Sequence, residues 1–93
     1  MNNYFVTLEQ HGEAYMEDTR FAIGGRLFGT KQALPAKMGL TAAELDEYLP
    51  VLGIPFNKHR AVFRELAQTQ HCSFTTKLSI ETAAELGLWP SNE

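Results

Sequence analysis

The chain has 93 residues, 44% hydrophobic and 20% charged, with a formal net charge of −3. That is material for one globular domain spanning residues 1–93 and excludes a second. The weak negative charge excludes an acidic tail and argues against bulk attraction to nucleic acid, and a lone cysteine, Cys72, excludes an internal disulfide and suits a reducing compartment.

The opening segment, "MNNYFVTLEQ", has no basic stretch followed by an apolar one, so it does not read as a signal peptide. No apolar run approaches the roughly 20 residues that span a bilayer. A cytoplasmic protein with no membrane association is expected. Within this segment Tyr4, Val6 and Leu8 alternate with Phe5 and Thr7, the period of a half-buried strand.

Residues 13–28, "EAYMEDTRFAIGGRLF", admit two readings. As a helix, they put Tyr15, Met16, Ala22, Ile23 and Leu27 on one face, with the two glycines costing about 1 kcal/mol each against alanine. A hairpin places Gly24 and Gly25 where a type I′ turn needs positive φ twice. The reading leans to the helix for 13–23 and leaves the remainder open.

Thr41 followed by Glu44 forms a capping box before "AAELDEYLP", and Leu45, Tyr48, Leu49 and Leu52 share a face. Pro50 disfavours α geometry at Leu49, so this helix should be short. After the apolar connector "VLGIPF", a second helix is expected with Asn57 as its cap and Val62, Phe63, Leu66 and Ala67 inward. "CSFTTKLS" again alternates, with Phe74, Thr76 and Leu78 on one side, and should pair with the N-terminal strand. Ser79 caps a last short helix, ended by Gly87 and Pro90. "TAAEL" occurs at 41–45 and 82–86, but the flanking sequences differ, so it is not a structural repeat. The expected fold class is α+β: a small single domain, mainly helical with three to four short helices, plus a short antiparallel strand pair from the N-terminus and residues 72–79.

Four constellations bear on chemistry. "GGRLFGTK", Gly24 to Lys31, approaches a phosphate-binding loop, but Thr30 and Lys31 stand in the wrong order and Pro35 cuts the helix that should follow. Glycines used in turns or close packing explain the same letters. His11, His59, His71 and Cys72 lack paired ligand spacing, so no metal is expected. In a strand His71 would face away from Cys72, leaving that thiol without a base, and the acids of "ELDEYL" suit a helix's first turns. No catalytic residue, cofactor or enzymatic activity is expected.

Charge is more informative. Residues 1–19 hold Glu9, Glu13, Glu17 and Asp18 without a base, whereas Arg20, Arg26, Lys31 and Lys37 follow without an acid between them. Residues 41–68 resemble a helix-turn-helix: a capped helix, a turn containing Gly53, and a second helix with Arg60, Arg64 and Gln68 at i, i+4 and i+8. The turn, "LPVLGIP", exceeds the usual 3–4 residues and carries two prolines. The aromatic side chains (six Phe, three Tyr, one Trp) are many for so short a chain and favour interfaces.

These features lead to a small non-enzymatic accessory or regulatory protein that binds an unidentified protein partner and self-associates as a homodimer. Arg60, Arg64, Gln68, Arg20 and Arg26 are the candidate partner- or DNA-binding residues, and Trp89 is the candidate interface residue. The alternative is a DNA-binding regulator that uses residues 41–68.

Overall fold

The computed structural model describes residues 2–13, 17–29 and 34–87, the side chains of 34–36 excepted. These residues form four strands, β1 (Asn2–His11), β2 (Arg20–Leu27), β3 (Leu34–Leu40) and β4 (His71–Leu78), and three short helices, α1 (Ala42–Tyr48), α2 (His59–Thr69) and α3 (Ile80–Leu86). One turn of 3₁₀ helix, Phe56–Lys58, leads into α2. The strands make a single antiparallel sheet in the order β3-β2-β1-β4.

The expectation of a mainly helical fold with a short strand pair is therefore corrected. The sheet is the dominant element, and the pairing of β1 with β4 is one ladder of three. Neither reading survives over the described residues 17–28: Arg20–Leu27 is one continuous strand, with Gly24 and Gly25 in its middle opposite Thr7 and Val6 of β1, while Tyr15 and Met16 of the expected helix lie outside the described residues. A mid-strand glycine is locally unfavourable, but β2 is paired on both sides, and those ladders hold its backbone extended. Gly24 also faces Pro35 of β3, so it belongs to a sheet and not to a phosphate-cradling turn.

Alternation along the strands builds the core. Tyr4, Val6 and Leu8 of β1, Phe21 and Ile23 of β2, and Cys72 and Leu78 of β4 are buried on one face of the sheet. Leu45, Leu49 and Leu52 descend on them from α1 and the residues after it, Val62 and Leu66 from α2, and Ala83 and Leu86 from α3. Each buried leucine or valine contributes roughly 1.5–3 kcal/mol relative to exposure. The opposite face carries Phe5, Thr7, Ala22, Gly24, Arg26 and Met38, an open surface of the kind antiparallel sheets leave to solvent.

Local signals set the helix ends. Thr41 accepts from the Glu44 amide while the Glu44 carboxylate accepts from the Thr41 amide, the reciprocal cap that starts α1. Ser79 accepts from the Thr82 amide and starts α3; Gly87, at φ 83°, ends it in the left-handed conformation glycine adopts without strain. The expected Asn57 cap is corrected: Asn57 lies inside the 3₁₀ turn, and α2 begins after Lys58 with no side-chain cap. Gly53 is required in the connector, since its φ is 90° and a Cβ there would lie 2.7 Å from Oγ1 of Thr76 on β4.

Tyr4 is fully buried, and its hydroxyl has no hydrogen-bond partner among the described residues. Burial pushes its phenol above the ordinary tyrosine value. Leaving a buried hydroxyl unpaired costs about 1–3 kcal/mol. Tyr4→Phe should therefore raise the midpoint of a urea titration; a lower midpoint would reveal a bond made by that hydroxyl.

Candidate functional site

The sites expected from sequence separate into three groups. Arg20, Arg60 and Arg64 come together, Arg26 and Gln68 stand apart, and Trp89 lies outside the described residues. Lys31 of the glycine-rich motif is outside them as well.

The first group lines a cleft of about 680 Å³ between the flank of α2, the start of α1 and the end of the sheet where β1 and β2 meet. From α2 come Arg60, Phe63, Arg64 and Ala67, whose spacing puts them on one helix stripe. Thr41 and Ala42 border it from α1, Gln10 from β1, and Glu17, Thr19, Arg20 and Phe21 from the approach to β2. Phe63 was expected to be wholly inward. It is half-buried and packs edge-on against Phe21, ring centroids 5.6 Å apart at 88°, to form the apolar floor of the cleft. Ala67 is half-buried too.

Among the described residues, three arginines line this space with one acidic residue, Glu17. Arg20 is held in place: its Nη1 donates to the Glu17 carbonyl at 2.8 Å and to the Thr19 carbonyl at 2.9 Å. Thr19 is itself buried and donates to the Glu13 carbonyl. Arg60 and Arg64 are exposed and, among the described residues, their side chains have neither a hydrogen bond nor an ion pair. Two free forks and one fixed fork above an aromatic floor offer bidentate recognition of an oxyanion such as a carboxylate or phosphate. Sequence spacing found Arg60 and Arg64 but also proposed Gln68, which sits further along α2, exposed and outside the cleft. Arg26 points to the other face of the sheet, its guanidinium 5.3 Å from the Phe5 ring centroid.

The remaining candidates are structural. Cys72 is buried, and burial, with Glu65 nearby, pushes its thiol above the ordinary value, the wrong direction for a nucleophile at neutral pH. His71 is exposed on the opposite face of β4. His59, buried at the start of α2, is hydrogen-bonded to Asp46 and to the Ile54 carbonyl. Among the described residues no three His, Cys, Asp or Glu side chains gather as a metal site would need, and no helix is long and apolar enough to cross a membrane. Compared with protein-family models, with curated proteins and with solved structures, the chain matches none, so the functional reading rests on the arginine cleft itself.

Proposed function

We propose that this protein is a non-enzymatic binding module that captures a carboxylate-rich segment of another protein in the cleft of Arg20, Arg60 and Arg64. The observation that carries the reading is the convergence of three arginines, two of them without a partner among the described residues, from segments forty residues apart in sequence. An extended acidic peptide fits such a recess, where an aromatic floor can take its apolar side chains. The lone buried thiol suits a cytoplasmic setting for this activity.

Duplex DNA is the less favoured ligand. A recognition helix must enter the major groove, whereas Arg60 and Arg64 look into a recess walled by α1 and the sheet. The connector between α1 and α2 runs over residues 49–58, well beyond a helix-turn-helix turn. Exposed Glu44 and Glu47 on α1 would also repel a phosphate backbone.

Anisotropy titration of a labelled Glu/Asp-rich peptide at about 50 mM salt, where charge contacts are least screened, tests the reading. Binding should weaken with added salt. Arg60→Ala with Arg64→Ala should reduce affinity at least tenfold, since a hydrogen bond to a charged group is worth about 1.5–3 kcal/mol. Absence of peptide binding at any practical concentration overturns the proposal. Micromolar binding of duplex DNA that the same substitutions abolish would replace it with the DNA-binding alternative.

A further inference from the structure

The two edges of the sheet are built differently. The β3 edge contains Pro35, which lacks an N–H, its register with β2 slips at two places, and Gly39 sits at φ 70°. These are devices that stop a sheet from adding strands. The β4 edge has none of them. It pairs with β1 in unbroken register over Asn2–Glu9 and His71–Leu78, without a proline or a bulge, and Lys77 is its only formal charge beside His71.

The register also shows which backbone groups point outward. The Gln10 amide donates to the Gln70 carbonyl at 3.0 Å, so positions 10 and 70 are a hydrogen-bonded pair. Such pairs alternate in an antiparallel ladder, which turns Cys72, Phe74 and Thr76 toward β1. The Phe28 amide donates to the Asn3 carbonyl, so residues 3, 5 and 7 turn toward β2 and agree with this phase. Ser73, Thr75 and Lys77 therefore aim their N–H and C=O groups away from the sheet, and no described residue meets them. At the head of the strand His71 is already engaged, its amide and carbonyl both bonded to the Thr69 hydroxyl.

We propose that β4 pairs antiparallel with β4 of a second copy of this chain, continuing the sheet across a two-fold axis at Thr75. The edge is self-complementary in this register. Thr75 faces Thr75 of the second copy and Ser73 faces its Lys77, so three outward-facing residues on each chain exchange all of their N–H and C=O groups. No like charges oppose one another. Sliding by two residues one way brings Lys77 opposite His71, whose backbone is already bonded; sliding the other way brings Ser73 opposite Ser79, the cap of α3. On the helix side, a groove of about 450 Å³ lined by Ile54, Pro55, Val62, Cys72 and Phe74 runs beside the strand, and exposed Val51 and Phe56 flank its connector wall in sequence. This apolar surface is what a second copy would cover. The proposal is independent of the arginine cleft, which shares none of these residues.

Sedimentation equilibrium of the full chain should give a reversible monomer–dimer equilibrium. Thr75→Pro removes an outward N–H at a position that makes no ladder bond to β1, and Thr75→Asp sets two carboxylates face to face with the backbone unchanged. Both should shift the protein to monomer, with far-UV circular dichroism confirming that at least one remains folded. Thr75→Cys in a Cys72→Ala background should cross-link under mild oxidation, since facing residues of a hydrogen-bonded pair lie about 5.5 Å apart, inside the range a disulfide spans; Thr7→Cys in the same background should not. A wild-type chain that stays monomeric at about 1 mM, where even a millimolar Kd would be visible, overturns the proposal. So does a dimer that persists in a folded Thr75→Asp variant, or one that cross-links equally through Thr7→Cys.

Discussion

Leu66→Ala should cost about 3–5 kcal/mol in a denaturant titration, near the top of the range for a leucine removed from a packed core, and Phe63→Ala should cost distinctly less. Both residues lie on α2, three positions apart, and from sequence both belong to its inward face. Leu66 is completely buried among the core leucines and the strand residues below them. Truncating it opens a cavity that neighbours held by sheet and helices cannot collapse to fill. Phe63 is larger, but one side of its ring borders the arginine cleft and only the other packs on Phe21. Water can refill the space that its removal leaves. Phe63→Ala should instead weaken acidic-peptide binding, because it removes half of the aromatic floor. If Phe63→Ala proved more destabilising than Leu66→Ala, the cleft would be a packed part of the core and unavailable to a ligand.

The elements that sequence located share one property: their signals are local. The Thr41–Glu44 box, Ser79 and Gly87 act within four residues, and the alternation of Tyr4, Val6 and Leu8 needs only a strand's own period. The elements it missed depend on distant partners. In β2 the inward series Phe21, Ile23, Gly25 loses its last apolar member to glycine, and Gly24–Gly25 imitates a turn. In β3 Pro35 removes one donor and breaks the pattern, which only an edge strand tolerates. Losing both strands turned a four-stranded sheet into an apparent ribbon and shifted the expected class toward helix. The same reason limited the site. Arg60 and Arg64 are visible as a helix stripe, but Arg20 joins them only because β2 pairs with β1 beneath α2. The interleaved bases from Arg20 to Lys37 looked like one patch. Arg20 and Arg26 share strand parity, but Arg20, the first residue of β2, is tied back to the Glu17 and Thr19 carbonyls at the cleft, whereas Arg26, inside the strand, lies over Phe5 on the far face.

His59→Ala should destabilise the fold by about 2–4 kcal/mol, through a cavity and a lost buried hydrogen bond together. His59 is the first residue of α2 and is buried. Its Nδ1 lies 2.8 Å from Oδ1 of Asp46 on α1, and its Nε2 lies 3.1 Å from the Ile54 carbonyl in the connector. Both partners are acceptors, so the ring satisfies them together when both nitrogens carry protons. One side chain thus ties α1, the connector and α2, three pieces joined otherwise by a stretch containing Pro50, Gly53 and Pro55. The two contacts are not equal in worth. The Asp46 side chain is 47% exposed, so water screens this contact and can replace the carboxylate, and Asp46→Ala should cost only about 1 kcal/mol. The Ile54 carbonyl points inward to the ring and loses its donor outright when the ring is removed. The histidine substitution should therefore exceed the aspartate one by at least twofold, and the double variant should cost less than the sum of the two. Equal costs would assign the value of His59 to its Asp46 contact alone. A loss below about 1 kcal/mol for His59→Ala, less than the usual cost of one buried hydrogen bond, would mean that the connector is held by the packing of Leu49 and Leu52 without it.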